Sequence, residues 1–167
     1  MNAQDNQNLV FENVWRKDVS HISAQVLEIW KNHKGPVGDY ANQRLNQLVF
    51  VVKDAGGNVV GMSTAFKTYI KQLRNHFFAM RLMLIPENRI PGLTSKLLVS
   101  TRDYFESIHQ DETTDPAIGL ITLVENQRLK ESRNEAIWPA SKMVYIGSSK
   151  EGNHIRVYYF KGARILP

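Results

Sequence analysis

Two runs with strand periodicity, residues 48–52 (LVFVV) and 58–66 (NVVGMSTAF), are separated by little more than Asp54-Ala55-Gly56-Gly57. Turns of that composition supply the positive φ angles of a tight reversal, so the two runs are committed to an antiparallel hairpin. A third run, 76–85 (HFFAMRLMLI), follows, with Phe78, Met80, Leu82 and Leu84 alternating onto one face. Such a sheet needs a hydrophobic layer against it, and the flanking sequence supplies helices.

Residues 9–16 read as a first strand. Asp18 is the expected N-cap of a helix over 19–33, where Val19, Ile22, Val26, Ile29 and Trp30 recur at helical spacing before Gly35-Pro36. A short second helix is expected over 38–46, and a longer one over 92–109 with an apolar stripe of Leu93, Leu97, Leu98, Tyr104, Phe105 and Ile108. Residues 118–125 (IGLITLVE) are apolar on both faces, which predicts a central strand. A helix over 127–138, broken by Pro139, and strands at 143–147 and 154–161 complete the chain. Alternating strands and helices imply an α/β or α+β sheet with helices on its faces. The longest predicted loop, near 67–75, carries Lys67, Lys71 and Arg74, charges that suit an acidic or carboxylate-bearing ligand.

The 167 residues suit a single domain with one core, and 43% hydrophobic against 22% charged residues excludes a disordered chain. No stretch approaches the roughly 18 apolar residues of a membrane span, so no membrane partner is expected. The polar start, MNAQDNQNLVFENV, has neither the basic residues nor the apolar run of an export signal, and a cytoplasmic location is expected. The absence of cysteine excludes disulfides and thiolate chemistry. His21, His33, His76, His109 and His154 show no ligand spacing, so no metal is expected. The net charge of +5 comes from scattered residues and reads as a mildly basic surface. The terminal strand HIRVYYFK mixes aromatic and basic residues, but an edge strand with one packed and one solvated face explains that alternation. No nucleic-acid partner is therefore expected, and an exposed C-terminal strand would allow a homodimer.

The chemistry concentrates in residues 82–98, LMLIPENRIPGLTSKLL. This is a strand, a polar loop and a helix start, with Pro91 near the first helical position. Backbone N–H groups at such a start, with the positive end of the helix dipole, form an anion site to which Arg89 adds charge. A phosphate fits there as well as a solvated turn does.

The segment resembles the acyl-CoA-binding signature of the GNAT superfamily of N-acetyltransferases, Q/R-x-x-G-x-G/A. Here it reads Arg89-Ile90-Pro91-Gly92-Leu93-Thr94, followed by the small hydroxyl residue Ser95. The order of strands and helices along the chain is also similar to that of the family. Thr94 stands where Gly or Ala is usual, and Pro91 removes one backbone donor.

The resemblance implies a mixed, mostly antiparallel sheet of about six to seven strands with helices on both faces. It implies acetyl-CoA as co-substrate, bound by Arg89, Ile90, Gly92, Leu93, Thr94 and Ser95. The main chain of Met83, Leu84 and Ile85 would pair with pantetheine in a gap beside this strand, and a backbone N–H there would polarise the thioester. Asn134 resembles the family's helix Asn. The acceptor is a small-molecule or peptide amine.

Glu125, ending the predicted central strand, is the candidate general base. The helix Tyr and Gly-Phe pair of many family members are not reproduced, so Ser141, Tyr145 or water remains to protonate the leaving thiolate. The alternative is a degenerate member that binds an acyl-CoA or a partner without turnover.

Overall fold

The computed structural model describes residues 8–88, 90–111 and 114–165. Seven strands form one sheet in the order β1-β2-β3-β4-β5-β7-β6: β1 (Val10–Asn13), β2 (Leu48–Lys53), β3 (Val59–Ile70), β4 (Asn75–Leu84), β5 (Gly119–Val124), β6 (Val144–Ser148) and β7 (His154–Tyr159). β4 and β5 are parallel, while β1–β2, β2–β3, β5–β7 and β6–β7 are antiparallel. The helices are α1 (Ser23–Asn32), α2 (Gly38–Leu45), α3 (Leu93–Ile108) and α4 (Gln127–Ser132). α3 makes the long crossover that a parallel pair requires. The expected mixed, mostly antiparallel sheet is the observed one.

The chain divides into two compact units, Met1–Ala65 with Leu82–Leu98, and Phe66–Arg81 with Val99–Pro167. In the first, two clusters cover opposite faces of the sheet. Val26, Ile29 and Trp30 of α1 pack on Leu48, Val51 and Met62, with Met83 and Ile85 against them. On the other face Leu93 and Leu97 of α3 pack on Val52, Val60 and Leu84. The period of two along β4 thus sends alternate side chains to helices on opposite faces. In the second unit Phe78 stacks on Phe105 of α3, ring centres 4.0 Å apart, and Phe77, Ile118 and Val157 form a further core.

The hairpin turn follows its sequence. Asp54 accepts the Asn58 N–H at 2.9 Å, and Gly57 takes φ 80°.

Several boundaries differ from expectation. The first strand stops at Asn13. Asp18 caps only a turn, accepting the Ser20 N–H at 3.0 Å and its hydroxyl at 2.7 Å, and α1 starts four residues beyond that cap's first turn position, after Ile22. The expected loop at 67–75 is mostly strand, since β3 runs to Ile70 and reverses in a tight turn with Arg74 at φ 50°. β7 is internal rather than an edge, which removes the exposed C-terminal strand on which pairing of two copies was expected.

The largest difference is α4, which ends at Ser132 instead of 138. The residues beyond it hydrogen-bond elsewhere. Buried Arg156 donates to the carbonyls of Arg133 (3.3 Å) and Ala136 (3.4 Å), and the Trp138 indole donates to Arg133 (2.8 Å). The main chain of 136–138 instead runs along β6: Tyr145 N–H donates to Ala136, Trp138 N–H donates to Met143, and Ile137 bridges Val144. Asn134 therefore lies outside the helix expected to carry it.

Candidate functional site

Leu84 ends β4 beside Gly61 of β3, where a Cβ would collide with the Leu84 side chain. Ile85 donates its N–H to Val60 at 2.9 Å, so its main chain is committed to β3. Alternation turns Met83 to the same neighbour and the main chain of Leu84 to the opposite edge. Of the three residues expected to pair with an extended ligand, Leu84 is the one whose N–H and carbonyl point away from β3.

A short 3-10 turn, Pro86–Asn88, leads to the loop before α3. Arg89, expected to supply charge here, lies outside the described residues. Ile90 donates to Asn88 at 3.0 Å, and Leu93 donates to Ile90 at 3.2 Å, so both N–H groups are used within the loop. The first helical bond runs from Lys96 to Gly92 at 2.9 Å. That leaves the N–H groups of Thr94 and Ser95 in the first turn without a helical acceptor. Pro91 sits two residues ahead of the helix, near its start as expected, and Gly92 precedes Leu93 directly.

Gly92 has φ 82°, the left-handed region that disfavours any residue with a Cβ. A Cβ there would meet nothing within 4 Å. The glycine is thus required by backbone conformation, and the space over it is open. Gly92 and Thr94 are exposed and Ser95 half-buried, whereas Leu93 is buried and anchors the turn in the α3 core. An open glycine beside two N–H groups at the positive end of a 16-residue helix fits a phosphate or pyrophosphate.

The second unit carries the residues expected to move protons. Glu125 follows β5 and is exposed rather than buried. The next residue, Asn126, is the N-cap of α4 and accepts the Leu129 N–H at 3.0 Å. The asparagine at this helix is therefore Asn126, a residue sequence reasoning passed over although it directly follows the predicted strand. Asn134 is exposed in the loop beyond α4.

Ser141 is only 2% exposed. Its hydroxyl accepts the Met143 N–H at 3.4 Å and its carbonyl accepts Arg102 at 2.6 Å, the arrangement of a structural turn. Tyr145 is exposed on β6, opposite Arg156 of β7, with its hydroxyl 3.1 Å from that of Ser148 and its ring edge-on to His154. Among the described residues no group of three His, Cys, Asp or Glu is arranged to hold a metal. No helix among them is long and apolar enough to cross a membrane.

No family model matches the sequence, and no curated protein does. Solved structures do match in fold. A GNAT superfamily phosphinothricin acetyltransferase from Sinorhizobium meliloti, solved with AcCoA, is similar at TM-score 0.67 and 13% identity over 93% of this chain and 90% of that one. A ribosomal-protein-S5-alanine acetyltransferase from Vibrio fischeri gives 0.64 and 11% over 95% and 96%. A mosquito arylalkylamine N-acetyltransferase-like protein gives 0.61 and 12% over 91% and 100%. The chain has the fold these proteins share.

Proposed function

With the GNAT N-acetyltransferase fold as premise, we propose that this chain transfers an acetyl group from acetyl-CoA to a primary amine. One observation carries the reading: the open, left-handed Gly92 followed by the free first turn of α3. Gly92, Thr94 and Ser95 would hold the pyrophosphate through their N–H groups, with Arg89 adding charge, while Ile90 and Leu93 shape the loop. The outward main chain of Leu84 would pair with pantetheine, Met83 and Ile85 holding the strand in place.

In the transfer itself the amine nitrogen attacks the thioester carbonyl. A C–N bond forms, the C–S bond breaks, the amine gives up a proton and the thiolate takes one. A backbone N–H at Leu84 would stabilise the oxyanion. Glu125 would accept the amine proton, directly or through water, and its exposure suits exchange with solvent. Tyr145 would protonate the thiolate, since Ser141 is buried in its turn. The acceptor is a small-molecule or peptide amine.

Calorimetric titration with acetyl-CoA tests the reading. Micromolar binding to the wild type, lost in Gly92→Glu, is expected. No binding to the wild type overturns it.

The position of Asn134 outside α4 and the burial of Ser141 favour a second reading, an acyl-CoA-binding protein without turnover. Binding that persists with no product across a panel of amines would distinguish it.

A further inference from the structure

Between Ala55 and Pro86 the chain carries Lys67, Lys71, Arg74 and Arg81 and not one Asp or Glu. The stretch includes the outer half of β3 and the turn into β4, all within the second unit. The two-residue period puts Lys67 and Tyr69 on one face of β3, and Lys71 opens the turn just past the strand's end. All three are exposed, Tyr69 by 50%. His76 of β4 meets the Tyr69 ring edge-on, with centres 5.2 Å apart. On the opposite face Ile70, with Leu73 from the turn, packs against the core of Phe77, Ile118 and Val157. The row is therefore backed by fixed structure, and exposed Arg74 adds a fourth group at the turn.

A held, exposed ring with a cation two residues to either side suits a ligand that alternates flat and negative groups. A single nucleic-acid strand has that character: its bases stack on aromatic rings and its phosphates pair with Lys and Arg. An acidic peptide offers the charges without the flat groups. We propose that the outer β3–β4 hairpin binds single-stranded nucleic acid, with Tyr69 as the stacking platform and Lys67, Lys71 and Arg74 contacting phosphates. The inference is independent of the acetyl-transfer reading, because it uses none of residues 90–95.

Fluorescence anisotropy of the full chain with labelled RNA and DNA oligonucleotides of roughly 12 nucleotides tests it. Binding is expected to weaken with salt at a log–log slope of about −2, as for three phosphate contacts on a single strand. Lys67→Glu/Lys71→Glu should weaken it at least about tenfold. Tyr69→Ala should weaken it about five- to tenfold at unchanged charge. Thermal melts of the same variants should match the wild type, which separates a lost surface from a lost fold. Absence of binding at low salt overturns the proposal. So does a Tyr69→Ala variant that binds like the wild type while polyglutamate competes as well as the oligonucleotide does, since charge alone would then suffice.

Discussion

The guanidinium of Arg156 lies 4.2 Å from the centre of the Trp138 ring, and both side chains donate to one carbonyl, that of Arg133. Arg156 is 1% exposed, and its hydrogen-bond acceptors are main-chain oxygens. Burial pushes its pKa down, while Glu135 and Tyr145 pull it up. The cation replaces the helical hydrogen bonds that would otherwise have carried α4 further.

Arg156→Met should therefore cost about 2–3 kcal/mol, from the lost stacking on Trp138 and the loss of two charge-assisted hydrogen bonds to carbonyls that each keep one other donor, Trp138 at Arg133 and Tyr145 at Ala136. Urea denaturation measures it. An unchanged midpoint would mean that the Trp138 and Tyr145 donors satisfy those carbonyls without the cation.

Two glycines should respond oppositely to alanine. At Gly119 a Cβ would run into the Tyr158 carbonyl oxygen, so Gly119→Ala should cost about 3 kcal/mol. At Gly92 the space is open and the penalty is conformational, about 1–2 kcal/mol. Gly92→Ala should stay folded and bind acetyl-CoA roughly tenfold more weakly, as its N–H groups turn. Thermal melts with titration separate the two effects.

Glu106 accepts the Tyr158 hydroxyl at 2.7 Å and the Lys161 N–H at 2.8 Å. Burial raises its pKa, but the Lys161 N–H, the Tyr158 hydroxyl and the Arg102 and Lys161 charges outweigh it, and the net shift is below the ordinary 4.5. A carboxyl with a depressed folded value stabilises the fold above the unfolded value. That stability is lost as pH falls through the folded value. Tyr158 is shifted the other way, upward from 10.0 by burial and by Glu106, so its contribution is lost as pH rises beyond that range. Glu106→Gln should lower stability near neutrality by about 1 kcal/mol and flatten its fall below pH 4.5. A fall as steep as the wild type's would exclude Glu106 as its source.

Once an acceptor is found, Tyr145→Phe and Glu125→Gln should each lower kcat about 100-fold. Acetyl-CoA affinity should be unchanged in both. A kcat within about twofold of the wild type would remove that residue from proton transfer.

The hairpin at 48–66 was legible because Asp54 and Gly57 act locally, through a side chain and a φ angle set within four residues. Gly92 was legible for a similar reason: a glycine between a strand and a helix marks a backbone that only glycine adopts easily. The length of α4 was not legible. The carbonyls beyond its end accept from Arg156, Trp138 and Tyr145, the first of these more than twenty residues after the helix, and helical periodicity carries no trace of such partners. The same distance misplaced Asn134 and gave Ser141 a role its burial does not support. Asp18 misled differently, because a capping residue serves a single turn as readily as a helix.

The main chain of residues 136–138 along β6 bears on how this protein behaves when concentrated. An uncovered strand edge is a template for uncontrolled growth into aggregates. Here the C-terminal flank of the sheet is occupied by its own loop, and the opposite flank, β1, is four residues long with Glu12 held by Lys53 and His21. Loosening Trp138 or Arg156 would do more than soften a loop: it would uncover β6 and leave an open edge that invites pairing with another chain.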